Sequence, residues 1–152
     1  MEIPSNYSDF VGLIAESIRN NWNADALTDY QGVTLQYKDV ARKIEKLHIL
    51  FENAGVKKGD RIALCGRNSA HWAAAFLAVL SYGAVAVPVL HEFKAQQVHD
   101  IVNHSEAKIL FVGDMVWPEL DGEEMTRLQG QAEIKRAIGG KPYHRQKKYG
   151  IP

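Results

Sequence analysis

Cysteine is almost missing from this sequence: Cys65 is the only one. A single thiol excludes an intramolecular disulfide and a Cys-rich metal centre, and it suits a reducing compartment. Its setting, the apolar run Arg61-Ile-Ala-Leu-Cys-Gly66, predicts a buried and inert thiol rather than a nucleophile. Net charge is missing as well. With 18 basic against 18 acidic residues, no global charge recruits nucleic acid or an anionic membrane. The first residues, Met-Glu-Ile-Pro-Ser-Asn, lack the basic start and apolar stretch of a secretory signal, so cytoplasmic placement is the expectation. The six histidines, at 48, 71, 91, 99, 104 and 144, form no His-x-x-x-His pair and have no cysteine partners, which leaves zinc ligation unsupported. No transmembrane segment is expected either. Ala73–Leu90 is uncharged and about 18 residues long, the lower limit for a span, but Tyr82-Gly83 stops its first half and Val85-Ala-Val-Pro-Val-Leu90 reads as a buried strand.

An apolar content of 46% and a charged content of 24% fit a globular chain with a real core. Charge is unevenly spread. Residues 1–125 hold 11 Lys and Arg against 17 Asp and Glu, a net of −6, and residues 126–152 hold 7 against 1, a net of +6. The break near Met125 divides a body, 1–125, from a basic tail, 126–152, of unassigned origin. Glu133, Lys135, Arg136 and Arg145-Gln-Lys-Lys148 make that tail a solvated segment or a polyanion contact.

Hydrophobic spacing sets out the elements. Phe10, Leu13, Ile14 and Ile18 predict an amphipathic helix over Asp9–Trp22 with Ser8 as N-cap. Two alternating runs around Gln31-Gly32 predict a hairpin. Val40, Ile44, Leu47 and Phe51 share one face of a second helix, which Gly55 ends. From Arg61 the pattern becomes strand 61–65, helix 69–82, strand 84–89, helix 94–104, strand 108–112. Nearly continuous apolar strands joined by helical crossovers predict a three-stranded parallel sheet, βαβαβ, covered on both faces. Ser69 is the expected N-cap of the buried helix. Trp72, Phe76 and Leu80 are its expected core residues, with Ala73, Ala74, Ala75 and Ala78 keeping it slim.

Ligands of such sheets bind at the carboxyl ends of the strands. That directs attention to Gly66-Arg-Asn-Ser69, Val89-Leu-His-Glu-Phe93 and Gly113-Asp114. The polar candidates there are Arg67, Asn68, Ser69, His91 and Glu92. Gly66-Arg67-Asn68-Ser69-Ala70 is not a Gly-x-Gly-x-x-Gly fingerprint. A helix start beside Arg67 could hold an anion, and a glycine turn with an Asn-Ser cap accounts for the same residues. His91 with Glu92 is a candidate acid–base pair, and loop polarity accounts for it equally well. Gly139-Gly140-Lys141 fails as a phosphate loop, because Pro142 stands where a Ser or Thr would hold magnesium. No residue is assigned as a catalyst, a cofactor ligand or a metal ligand.

Four segments in order carry a family resemblance: Gly32-Val-Thr-Leu-Gln-Tyr-Lys-Asp-Val-Ala41, Ala54-Gly-Val-Lys-Lys-Gly-Asp-Arg-Ile-Ala-Leu64, Asn68-Ser through Leu80-Ser-Tyr-Gly-Ala-Val-Ala-Val-Pro88, and Asn103-His-Ser-Glu-Ala-Lys-Ile-Leu-Phe-Val112. They resemble the start of the adenylate-forming (AMP-binding) superfamily of acyl-CoA synthetases, peptide-synthetase adenylation domains and luciferases. Leu35–Val40 is similar to its first core motif and Leu80–Pro88 to its second. Gln36 stands for the usual hydroxyl residue, Val40 for leucine and Ser81-Tyr82 for Lys-Ala, which leans toward a long-chain-fatty-acid–CoA ligase and away from amino-acid activation. The resemblance is carried by about 100 of the 152 residues, fades after Trp117, and is not detectable in 126–152. It implies the large N-terminal domain of the acyl-activating fold. It also implies a parent enzyme that uses ATP, magnesium and coenzyme A on a small-molecule carboxylate. The family's catalytic groups do not occur in these 152 residues: the Ser/Thr/Gly-rich loop ending in Gly-x-Pro-Lys, Tyr-Gly-x-Thr-Glu, Thr-Gly-Asp and the late lysine. The expectation is therefore an N-terminal fragment, inactive alone, whose partner is the remainder of its domain. The alternative is a free-standing non-catalytic α/β module.

Overall fold

The computed structural model describes residues 9–126, 128 and 130–133. Ser8, Gly139-Gly140-Lys141-Pro142, His144 and most of the basic tail lie outside the described residues.

The chain opens with α1 (Phe10–Asn20), whose cap is Asp9: the Asp9 carboxylate accepts from the Gly12 N–H at 2.7 Å. A carboxylate at that position satisfies an orphan amide and also faces the positive end of the helix dipole. The hairpin β1 (Asp25–Thr28) and β2 (Thr34–Gln36) follows. Its turn is closed by Asp29 N–H to Val33 O at 2.8 Å, and Gln31 rather than a glycine takes the left-handed conformation, at φ 51°. Then comes α2 (Tyr37–Asn53), which buries Val40, Ile44, Leu47 and Phe51 as their spacing predicts and ends before Gly55 at φ 72°.

The second half is β3 (Arg61–Cys65), α3 (Ala70–Tyr82), β4 (Val85–Val89), α4 (Ala95–Ser105) and β5 (Ile109–Val112). These strands pair in parallel, with β3 between β4 and β5. The sheet does not stop at three strands. After two short 3-10 turns, 117–119 and 122–124, β6 (Gly130–Glu133) pairs in parallel with β5, giving the order β4-β3-β5-β6. The fourth strand falls within the segment that charge alone separates as a tail. β4 is an edge, so the missing N–H of Pro88 does not break a central ladder.

Both faces are covered. On one, α2 and α3 pack with Ile62, Leu64, Ile109 and Phe111, and the hairpin's Leu35 joins them. On the other, Val98 and Val102 of α4 meet Ala63, Cys65, Leu110 and Val112, together with Val116, Met125 and Leu128. The inner face of α3 differs from expectation. Ala70, Ala74, Ala75, Ala78 and Val79 are buried, whereas Trp72, Phe76 and Leu80 are half-buried. Small residues let the helix approach the sheet and α2 closely. Trp72 and Phe76 stack on each other at the rim, 5.3 Å between centroids.

Ser81 and Tyr82 are structural. The Tyr82 hydroxyl donates to Val56 O at 2.9 Å, the Ser81 hydroxyl donates to Leu77 O at 2.7 Å, and the His48 Nε2 donates to Ala78 O at 3.0 Å. The His48 contact ties α3 to α2, the Tyr82 contact ties it to the segment after α2, and the Ser81 bond lies within α3 itself.

At the amino ends of the strands, the Asp60 carboxylate takes the Lys108 ammonium at 2.7 Å and the Lys57 N–H at 2.7 Å. Burial alone would push the Asp60 carboxyl up, but the Lys108 and Lys57 contacts outweigh it and hold the group below its ordinary value. A lowered folded-state value means that the contribution is complete above the ordinary carboxylate range, near about 3.9, and is lost as pH falls through the lower folded value. Asp60→Asn should therefore cost about 1 kcal/mol at neutral pH, a modest figure because the pair is partly exposed. The gap to wild type should close as urea denaturation is repeated at falling pH. A gap that stays constant into strong acid would mean that the pair contributes nothing.

Candidate functional site

A pocket of about 510 Å³ opens at the carboxyl ends of β3, β4 and β5, where the topology directs a search. Gly66, Arg67 and Ser69 follow β3, His91 and Phe93 follow β4, and Gly113 and Asp114 follow β5. The ends of β3 and β5 are drawn together by Gly113 N–H to Cys65 O at 2.8 Å. A Cβ at Gly113 would lie 3.4 Å from the Gly66 Cα, an ordinary van der Waals contact, so the two loops run side by side without requiring glycine there. Met115, Val116 and Leu120 from the segment after β5 make an apolar wall, Phe93 adds a further apolar side chain, and Lys94 and Glu119 add charge to the lining.

Of the expected polar residues, Arg67, Ser69 and His91 line the pocket and Asn68 and Glu92 do not. Ser69 is occupied as the cap of α3, its hydroxyl oxygen accepting from the Trp72 N–H at 3.0 Å. His91 and Glu92 stand 4.0 Å apart, with Glu92 79% exposed. A carboxylate so open to water gives the imidazole little orientation, so the pair is a surface contact.

Sequence reasoning missed Asp29, which comes from the hairpin turn, 41 positions before its partner. Its Oδ1 accepts from the Ala70 N–H at 2.6 Å. The start of α3 therefore already holds an anion, and that anion belongs to the protein. Gly32 makes room for it: a Cβ there would meet the Asp29 Cβ at 3.0 Å. No local pattern marks this contact. Lys94, Met115, Val116, Glu119 and Leu120 were also not singled out, because they join the site only through the packing of α4 and the segment after β5.

Cys65 lies just beneath this end of the sheet. It is fully buried, its thiol faces Leu90 O at 3.8 Å, and burial pushes its pKa up to about 11. The thiol is inert at neutral pH, as its sequence setting predicts.

The pocket lining carries the carboxylates Asp29, Asp114 and Glu119 against the cations Arg67 and Lys94. With the helix start filled by Asp29 and Ser69, these residues do not fit a magnesium triphosphate, which needs free amide donors and an excess of positive charge. Among the described residues no group of three or more His, Cys, Asp or Glu could hold a metal ion, and no helix is long and apolar enough to cross a membrane.

Comparison with known proteins gives a consistent result. The AMP-binding enzyme family matches residues 14–148, further than the motif segments reach. The chain is 35% identical over 119 residues to the putative acyl–CoA ligase YdaB of Bacillus subtilis, covering 70% of this chain and 24% of that protein. It is 29% identical over 98 residues to surfactin synthase subunit 2 of Bacillus subtilis, covering 64% of this chain and 3% of that protein. In structure it superposes on the anthranilate CoA ligase AuaEII with a TM-score of 0.79 at 19% identity, covering 93% of this chain and 29% of the other. The fold is thus that of the N-terminal part of adenylate-forming enzymes, and the chain spans about a quarter of the length of the first of these relatives. On a match that takes in most of its length, this chain belongs to the AMP-binding enzyme family.

Proposed function

We propose that the chain is the opening portion of an ATP-dependent, AMP-forming acyl-CoA ligase, and that these 152 residues alone carry out no adenylation. The parent would join a small-molecule carboxylate to coenzyme A, with release of AMP and pyrophosphate, and would use ATP and magnesium. The observation that carries the reading is the similarity to the acyl–CoA ligase YdaB across 70% of the chain. A fatty acyl substrate is the preferred assignment, from the motif departures. Tyr82 bonds to the segment after α2 and Ser81 meets the His48 Nε2 of α2 at 2.9 Å, and neither lines the pocket, so they bear on substrate class only indirectly. A body, 1–125, and a basic tail, 126–152, whose first residues return to the sheet as β6, together with cytoplasmic placement and the rest of the acyl-activating domain as partner, complete the proposal. Ser69 then serves as the cap of α3, and Arg67 and His91 are assigned no catalytic role. The intrinsic reason for inactivity is electrostatic. Adenylation needs preorganised donors around the triphosphate and a cation for the departing pyrophosphate, and the lining is mixed in sign with its helix start occupied.

The test is exchange of labelled pyrophosphate into ATP by purified chain with magnesium and acids from acetate to palmitate. No label above the no-enzyme control is expected. Label that enters ATP and disappears on changing Arg67 or His91 would overturn the inactive reading. The second reading, a non-catalytic binding module, is favoured by the pocket alone, whose 510 Å³ falls within the range of small-molecule sites. Nucleotide sequence running on past residue 152 into a Ser/Thr/Gly-rich loop ending in Pro-Lys would decide for the ligase.

A further inference from the structure

The pocket's apolar wall belongs to the strap 113–126, which runs from β5 across α4 and consists mainly of tight turns. Two side chains one helical turn apart on α4 hold its backbone. The His99 Nε2 accepts from the Asp121 N–H at 3.1 Å. The Asn103 amide donates to Glu124 O at 2.7 Å, and its oxygen accepts from the Thr126 N–H at 3.1 Å. His99 is 4% exposed and shares the buried face of α4 with Val98 and Val102. Because Nε2 is an acceptor here, the proton of the neutral ring sits on Nδ1, which has no hydrogen-bond partner among the described residues.

We propose that His99 and Asn103 are positioning residues that clamp the pocket wall, and that the His99 half of the clamp opens when its imidazole takes up a second proton. An imidazolium has two donors and no acceptor. Protonation therefore places an N–H against the Asp121 N–H, and the strap must move away or lose that contact. The Asn103 half does not titrate, so release is partial and begins at the Asp121 end, next to the lining residues Glu119 and Leu120. The titratable groups near it in sequence on α4 are Asp100 and His104, and those on the strap are Asp114, Glu119, Asp121, Glu123 and Glu124. Of these, the Asp121 carboxylate is held by the Glu123 N–H at 2.9 Å. The sheet face beneath offers Ala63, Cys65, Leu110 and Val112, with the thiol protonated throughout the relevant range. The clamp does not depend on the ligase reading, because it is a property of the chain itself.

Amide hydrogen exchange followed by NMR tests it, with rates corrected for intrinsic pH dependence and read from neutral pH downward. In wild type the Asp121 amide should lose about tenfold of its protection on acidification, the equivalent of one hydrogen bond, while the Thr126 amide changes little. His99→Gln places an acceptor that does not titrate near the Nε2 position and should abolish the pH dependence at Asp121. Asn103→Ala should lower protection at Thr126 at every pH. Imidazole nitrogen shifts of wild type provide an independent reading: Nδ1–H in the neutral form, and a His99 titration that coincides with the loss of protection. The clamp is overturned by pH-independent protection of Asp121 in wild type, by a pH dependence that survives in His99→Gln, or by an Nε2–H tautomer.

Discussion

Replacing Phe51 with alanine should cost about 3–5 kcal/mol, a large part of the roughly 5–15 kcal/mol that holds a domain together. Phe51 is fully buried where α2, α3 and β5 meet, with its ring 5.3 Å from Tyr82 edge-on and 6.0 Å from Phe111. Truncation would remove both aromatic contacts and leave a cavity bounded by helix and sheet backbones that cannot close. Trp72→Ala and Phe76→Ala should cost less, about 1–2 kcal/mol, because those rings are only partly buried where they pack against the edge of the core and stack on each other. Urea denaturation of the three variants checks this, with an unchanged slope taken as the sign that only stability has moved. A Trp72→Ala loss equal to that of Phe51→Ala would place the stacked pair in the core after all.

Helical spacing does not identify the inner face of α3. In Ala70–Tyr82 nearly every residue is apolar, so helical spacing selects no side, and the large residues attract the assignment. The surface against which the helix packs decides instead: between the sheet and α2 the buried positions are taken by Ala70, Ala74, Ala75, Ala78 and Val79. Elements with contrast were legible. The strands 61–65, 85–89 and 109–112 are apolar runs bounded by polar turns, and Val40, Ile44, Leu47 and Phe51 stand out against charged neighbours. β6, Gly-Gln-Ala-Glu, has no apolar run and exists through its parallel pairing with β5. Of the pocket, the strand-end loops were legible because topology alone places them. The strap wall and Asp29 were not, since both reach the site through contacts distant in sequence.

Asp29→Ala should cost about 2–3 kcal/mol and create an anion site where the native chain has none. The Ala70 N–H is buried and its acceptor is the Asp29 carboxylate at 2.6 Å. Removing an ionised acceptor forfeits a charge-assisted hydrogen bond of about 1.5–3 kcal/mol and leaves the donor unpaired. It also withdraws a negative charge from the positive end of α3, worth about 0.3–1 kcal/mol more. Asp29→Asn keeps an oxygen acceptor without the charge, so its loss should be roughly half as large. Because a vacated helix start with free amides attracts anions, inorganic phosphate or sulfate should restore part of the stability of Asp29→Ala and much less of wild type's, at matched ionic strength with chloride as control. Thermal and urea denaturation in the three salts would show this. If wild type gains as much from phosphate as the variant does, an external anion already binds beside Arg67 in the native protein. In that case the carboxylate does not close the helix start, and the electrostatic argument against triphosphate binding at this end of the sheet fails with it.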